Sequence, residues 1–535
     1  MSIKSFIEDL FSENKNYIRK QDIHRDMKDL PIGIQDFKSI IKGDFVYVDK
    51  TKPIYELVKP DKGIYFISRP RRFGKSLTVS TLEYLFKGEK ELFKGTYIYD
   101  KHDFEERPVI KLSMTSIDTS SVKSLKETLI ETLQDICEDY NIDIHSKYPK
   151  TVLKKMVKKL AKRDNKVVIL IDEYDKPILN HIENKEKADK IRKELRNFYS
   201  ILKDLGSHLK YIFITGITKA SKVSIFSDLN QLTDLTLNSE MSDMLGYTKE
   251  DIAEFFPERI EKVREELELT EEEFWSKLQE WYNGYSWNGQ DFVYNPYSIL
   301  NFFFNNEFDN YWFESGSPSF LIKYMKENNL KESKFNKVRV GKNFHSKYDI
   351  EESPPYSFLW QAGYLTIKEK VENTYLLEYP NKEVQDSMND ILLTTYYNLE
   401  EEVKGEITLN LRRAIKRNDI DTIIQEFKRT LSSITFHQHI KKESYYNTAI
   451  YTLLRGTGIN AKIEEATSKG RSDLVIEEKE KVFVFEFKND KPEVGIEQIK
   501  EKGYAEKYDK KKFFVGIELD FDKRNIVDYK VEERD

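Results

Sequence analysis

One cysteine stands among 535 residues. Cys137 cannot close an internal disulfide, and no cysteine zinc cluster can form within one chain. A reduced, cytoplasmic setting is the expectation. Proline and glycine are scarce, 14 and 21, and no Pro-rich or Gly/Ser-rich linker occurs, which argues against long tethers between domains. Nowhere does an apolar run approach the roughly 18 residues that cross a bilayer. The opening MSIKSFIEDLFSENKNYIRK interleaves apolar and charged residues and has no signal-peptide core, so no membrane association is expected. Excess positive charge is missing too: the net charge is −6. An acidic total leaves room for a local basic groove. The lysine clusters at Lys154, Lys155, Lys158 and Lys159 and at Lys510, Lys511 and Lys512 read as solvated faces.

What is abundant is core material. Hydrophobic residues make up 39%, charged residues 34% and aromatics 13%, a globular composition with a heavily solvated surface. The length predicts three or four structural units. Charged helix is expected over 1–30. Between 31 and 250, short β-rich runs at Ile64–Ser68, Val109–Met114, Val167–Ile171 and Tyr211–Thr215 alternate with helical spacing, which predicts a mainly parallel α/β sheet. Over 251–434 helical patterns dominate. From 435 to 535 the order is helix, strand, strand, helix, strand, a small α/β domain.

The segment Ser68-Arg-Pro-Arg-Arg-Phe-Gly-Lys-Ser76 follows a strand and opens a helix. A phosphate-binding loop needs that placement, because backbone N–H groups and the helix N-terminus surround phosphate oxygens. Gly74 permits close backbone approach, Lys75 would reach the outer phosphates of ATP and Ser76 would ligate Mg²⁺. Arg69 stands where the usual motif begins with glycine, and Arg71 and Arg72 crowd the loop with guanidinium groups able to pair with phosphate. The apolar strand Val167–Ile171 ends in Asp172-Glu173, carboxylates at the edge where α/β sheets bind ligands. Asp172 is expected to hold Mg²⁺, and Glu173 to polarise the attacking water. Thr215, at the end of the next strand, is a candidate sensor of the γ-phosphate. Asp175 reads as a turn or cap residue.

Near the C-terminus, Gly470-Arg-Ser-Asp473-Leu-Val-Ile-Glu477 and Val482-Phe-Val-Phe-Glu486-Phe-Lys488 read as two strands. Glu486 and Lys488 are two apart on one strand and share a face. A tight turn at 478–480 makes a hairpin, and pairing 477 with 481 brings Asp473 beside residue 485. A slight offset then gathers Asp473, Glu486 and Lys488 into one cluster, a register that pattern alone leaves open. Such a trio suits Mg²⁺-dependent phosphodiester cleavage, with Asp473 and Glu486 as metal ligands. Glu443 on the preceding helix and Gln498 on the following one are accessory candidates.

Taken together, LPIGIQDF, YVDKT, RPRRFGKSL, LIDEYDKPI, WYNGY, VYNPYSI, WQAGYLTI, GRSDLVI, FVFEFK and EQIKEKGYAEKY resemble the AAA-ATPase-like family whose members end in a PD-(D/E)XK nuclease-superfamily domain. The resemblance spans most of the chain, and the arginine in place of the first loop glycine belongs to that family's own pattern. It implies a P-loop parallel sheet, a mostly helical middle and a small restriction-endonuclease-like domain. ATP and Mg²⁺ are the expected cofactors and nucleic acid the expected partner, DNA ahead of RNA, in a chain able to form homo-oligomers. The alternative it leaves is a regulatory ATPase whose C-terminal domain binds nucleic acid or a protein without cutting.

Overall fold

A computed structural model of the chain describes residues 27–163, 166–181, 184–219, 225–226, 229, 231–314, 337–344, 354–391, 393, 399–434, 441–467 and 470–534. Most of the helical segment expected over 1–30 lies outside these residues. The described residues fall into two compact units, one running to 314 together with Lys337–Asn381, the other from Lys382 onward.

In the first unit, strands β1 (Gly63–Ser68), β2 (Val109–Ser113), β3 (Val167–Asp172), β4 (Leu209–Gly216) and β5 (Thr233–Asp234) form a sheet of order β2-β3-β4-β1-β5. Every pairing in it is parallel. Alternate residues of β3 feed two different cores. Val167, Ile169 and Ile171 pack with α2 (Val122–Asp139), α3 (Pro149–Arg163) and α4 (Lys185–Tyr199). Val168 and Leu170 pack on the opposite face with α1 (Lys75–Phe86). Burial on both faces explains why the strand is apolar at every position rather than at every second one.

The region 251–434 is mostly helical, and its residues divide between the two units. Phe256, Phe274 and Phe302 bury in one cluster with Val48, which ties its first part to the unit that carries the parallel sheet. Its last part, including α7 (Ile420–Ser433), shares a core with the C-terminal strands. Helices α5 (Pro296–Asn305) and α6 (Pro355–Ala362) belong to the first unit. So does a small antiparallel sheet of β6 (Val338–Gly341), β7 (Thr366–Val371) and β8 (Thr374–Glu378), in the order β6-β8-β7.

The second unit holds β9 (Ala461–Thr467), β10 (Gly470–Glu477), β11 (Lys481–Lys488), β12 (Lys511–Asp520) and β13 (Asn525–Arg534). Their order is β13-β12-β11-β10-β9. The β11–β12 pair is parallel and the rest are antiparallel. Helix α8 (Glu443–Gly456) covers one face through Leu474, Ile476 and Phe485, and α9 (Pro492–Lys502) the other through Val475 and Val484.

Candidate nucleotide and metal sites

In the first unit, β1 ends at Ser68 and α1 starts at Lys75, so the intervening loop turns the chain back over the C-terminal edge of the parallel sheet. Gly74 caps α1 with φ 89°, and Arg72 also adopts positive φ, 66°. A side chain at Gly74 would meet nothing closer than Leu245 Cδ2 at 3.9 Å. The left-handed backbone, rather than crowding, is what asks for glycine there. Lys75 is 4% exposed. Its ammonium donates to the carbonyls of Arg69 (3.0 Å) and Pro70 (2.7 Å), inside the loop's own curve. Burial pulls its pKa down, against the opposing pull of Glu173, Asp172 and Asp175.

Arg69 turns away from the loop into the protein. Its guanidinium donates to Ser68 O and Thr236 O at 2.9 Å and to Met241 O at 3.2 Å, and lies 3.8 Å from the Trp287 ring centroid. The arginine therefore fastens the base of the loop to the segment after β5. Residues from the helical middle complete the fastening. Trp312 Nε1 donates to Arg71 O (3.0 Å), the Arg72 guanidinium lies 4.7 Å from the Tyr297 ring, and Phe73 packs edge-on against Tyr285 and Trp287. Gly363 ends α6 so close to the loop that a Cβ there would come within 2.6 Å of Pro70 Cβ.

Asp172, at the end of β3, is 7% exposed and accepts the Thr215 hydroxyl at 2.5 Å. The same hydroxyl accepts the Glu173 N–H at 3.3 Å. Thr215 is fully buried and does not line the cavity in front of the loop. Its hydroxyl thus joins the Asp172 carboxylate to the Glu173 backbone N–H, on the strand that lies between β1 and β3. Glu173 holds φ 53° and accepts the Thr115 hydroxyl at 3.0 Å. Asp175 is wholly buried and accepts from Ile217 N (3.1 Å), Thr218 N (2.6 Å) and Thr218 Oγ1 (2.9 Å), which pins the exit of β4.

A cavity of about 360 Å³ opens in front of the loop, with Arg71, Arg72, Gly74, Lys75 and Ser76 on one side and Glu173 and Thr115 beside them. This is in the range of small-ligand sites. Ile34, Val46, Val48, Ile54, Leu245 and Tyr297 supply an apolar remainder. Ile34, Val48 and Tyr297 belong to LPIGIQDF, YVDKT and VYNPYSI, stretches that carry no local sign of ligand binding.

In the second unit the β10–β11 hairpin pairs Glu477 with Val482 and Leu474 with Phe485. The same register sets Asp473 level with Glu486, one residue beyond the simplest hairpin expected from sequence. Phe487 N donates to Asp473 Oδ2 (2.9 Å), and Asp473 N to Glu486 Oε2 (3.3 Å). Lys488 Nζ donates to Glu486 Oε1 at 2.9 Å, and Gln498 Nε2 to the same oxygen. Glu443 Oε1 accepts Asn489 N at 3.0 Å. Helix α9 reaches the strand because glycines meet there: a Cβ at Gly495 would press on Glu486 O and Gly516 Cα, both 3.1 Å away.

Glu486 is 1% exposed. Burial first, and then Asp473, push its carboxyl up to about 7, outweighing Lys488. Burial raises Asp473 as well, and Glu443 adds to the rise. For Lys488, burial works downward but Glu486, Asp473 and Glu443 prevail and raise it. Among the described residues no three His, Cys, Asp or Glu side chains form a ready cage for a metal ion. The donor chemistry still fits Mg²⁺: hard carboxylate oxygens on two buried, neighbouring carboxyls, Asp473 and Glu486.

Residues 31–226 match the family model described as a predicted AAA-ATPase. Residues 441–529 match that of the PD-(D/E)XK nuclease superfamily. A protein of Azotobacter chroococcum mcd 1, named only as an uncharacterized protein in the vnfD 5′ region, is 34% identical over 524 residues, covering 94% of this chain and 99% of its own length.

Proposed function

Because the chain belongs to the family of that Azotobacter protein, joining an AAA-ATPase-like region to a PD-(D/E)XK nuclease-like domain, we propose that it hydrolyses ATP in its first unit and cuts nucleic-acid phosphodiesters in its second. DNA is the favoured substrate. The observation that carries the reading is the convergence of Asp473, Lys488 and Gln498 on the buried carboxylate of Glu486.

In the first unit, Lys75 exchanges the carbonyls of Arg69 and Pro70 for the outer phosphates, with Arg71 and Arg72 adding charge at the rim. Ser76 and Asp172 would be the oxygen donors for Mg²⁺. Glu173 takes the proton of the attacking water, held by Thr115, while Thr215 fixes Asp172 from behind. In the second unit, Asp473 and Glu486 would hold the cation, Gln498 and Lys488 orient Glu486, and Lys488 faces the charge that develops on the phosphate. Mg²⁺, when bound, polarises the scissile phosphate and activates water. Glu443 orients the strand end through Asn489 N.

One observation favours the non-cutting alternative: Lys488 and Gln498 both occupy Glu486 Oε1, an oxygen a cation would need. Turnover of ATP and Mg²⁺-dependent cleavage of labelled DNA and RNA, measured on wild type, Lys75→Ala and Lys488→Ala, test the reading. Cleavage lost only in Lys488→Ala, and ATP turnover lost only in Lys75→Ala, is the expected pattern. Nucleic acid bound but left intact under every divalent cation selects the alternative.

A further inference from the structure

Helix α3, PKTVLKKMVKKLAKR, carries six lysines and an arginine and not one acid, in a chain where acids outnumber bases 93 to 87. Lys154, Lys155, Lys158, Lys159 and Lys162 are all exposed. At 100° per residue they fall within an arc of about 140°. Val152, Leu153, Met156, Val157 and Leu160 occupy the remaining face and are at most 1% exposed. Like charges four residues apart, as in 154/158, 155/159 and 158/162, weaken a helix. The acceptors these lysines do find are neutral: Ser200 Oγ for Lys150 and Asp143 O for Lys159, both at 2.7 Å. Among the described residues no ion pair relieves Lys154, Lys155, Lys158 or Lys162. A second feature directly precedes the helix. Tyr148, immediately before the helix, is 67% exposed, among the most exposed large hydrophobic side chains of the described residues.

We propose that α3 and Tyr148 form a second nucleic-acid contact, carried by the ATPase unit and separate from the cutting site. The proposal deepens the reading above and rests on its premise that the chain handles nucleic acid. Lysines spaced about 6 Å apart along the helix, at 1.5 Å per residue, meet consecutive phosphates. The span from Lys154 to Lys162 is about 12 Å, over which one strand of a duplex carries roughly four phosphates. The Tyr148 ring offers a stacking platform for an unpaired base at the end of the row. A membrane surface fits less well, because the apolar face of α3 is spent in the core and leaves nothing to insert.

The test is equilibrium binding of labelled single-stranded and duplex oligonucleotides to the full chain, without divalent cations, over a salt series. The variants are Lys154→Gln/Lys155→Gln/Lys158→Gln/Lys162→Gln and, separately, Tyr148→Ala. The quadruple variant is expected to flatten the slope of log K against log salt on single strands by about 3, four contacts at about 0.7 each. Affinity should fall at least tenfold at moderate salt, while ATP turnover without nucleic acid stays at the wild-type rate. Tyr148→Ala should weaken single strands more than duplex. A wild-type slope in the quadruple variant overturns the proposal, as does the absence of oligonucleotide binding by wild type. So does loss of binding to phosphatidylserine vesicles with oligonucleotide affinity intact. Binding is read without cleavage, so a chain that binds through α3 yet never cuts would sink the nuclease reading and leave this one standing.

Discussion

Lys488 Nζ lies 2.9 Å from Glu486 Oε1, on the same face of one strand, yet the carboxyl it pairs with still titrates near neutrality. Burial and Asp473 outweigh the ammonium and raise Glu486 from 4.5 to about 7. A carboxyl raised in the folded state stabilises the fold fully below its unfolded pKa and loses that contribution as pH climbs through about 7. In metal-free protein, the melting temperature of Glu486→Gln minus that of wild type should therefore grow from pH 5 to pH 8. A difference that is flat across that range would show that Glu486 is ionised throughout.

Lys75 donates to two carbonyls of its own loop. Removing its proposed contact to phosphate, about 2–3 kcal/mol for a charged hydrogen bond, corresponds to a loss of roughly 30–150-fold in ATP affinity. Titration calorimetry of Lys75→Ala with a non-hydrolysable ATP analogue checks this. Lys75→Arg should not rescue, because a planar fork does not fit between those carbonyls.

Thr115 was not visible from sequence as a functional residue, and it donates to the candidate base Glu173 at 3.0 Å. Glu173 sits at positive φ, a conformation the surroundings must hold. Thr115→Val should lower kcat for ATP by ~10-fold, part of the 10²–10⁴ a positioned base supplies. KM should be unchanged and Thr115→Ser should restore the rate. A merely structural Thr115 would move stability and leave kcat alone.

Arg69→Gly restores the commoner first loop residue and should nevertheless be harmful. It strands the carbonyls of Ser68, Thr236 and Met241 and empties the space over Trp287. The expected cost is about 2–4 kcal/mol, read as a lower urea midpoint.

How much of this was legible in the sequence follows from where each signal lives. The four main strands of the parallel sheet were readable because burial on both faces leaves continuous apolar runs, as in Val167–Ile171. Asp473, Glu486 and Lys488 were readable as a group, but their register depended on whether Glu477 paired with Lys481 or Val482, a choice the turn makes. Thr115 and Arg69 were opaque because their roles arise from partners 58 and 167 residues away. Thr215 was readable as a strand-end polar residue, but its bond to Asp172, 43 residues away, was not. The β7–β8 hairpin was missed in a stretch dominated by helical patterns, although β-branched and aromatic residues either side of Glu372, at φ 50°, gave a signal.

Nicking of supercoiled plasmid by wild type and by Asp473→Asn, purified in parallel and assayed with Mg²⁺ and ATP, tests the central claim most directly. Open-circle product that depends on Mg²⁺, with at least a 100-fold lower rate in the variant, is the outcome that a general base or metal-ligand loss predicts. Equal nicking by both proteins, or intact plasmid with a wild type that turns over ATP, contradicts it.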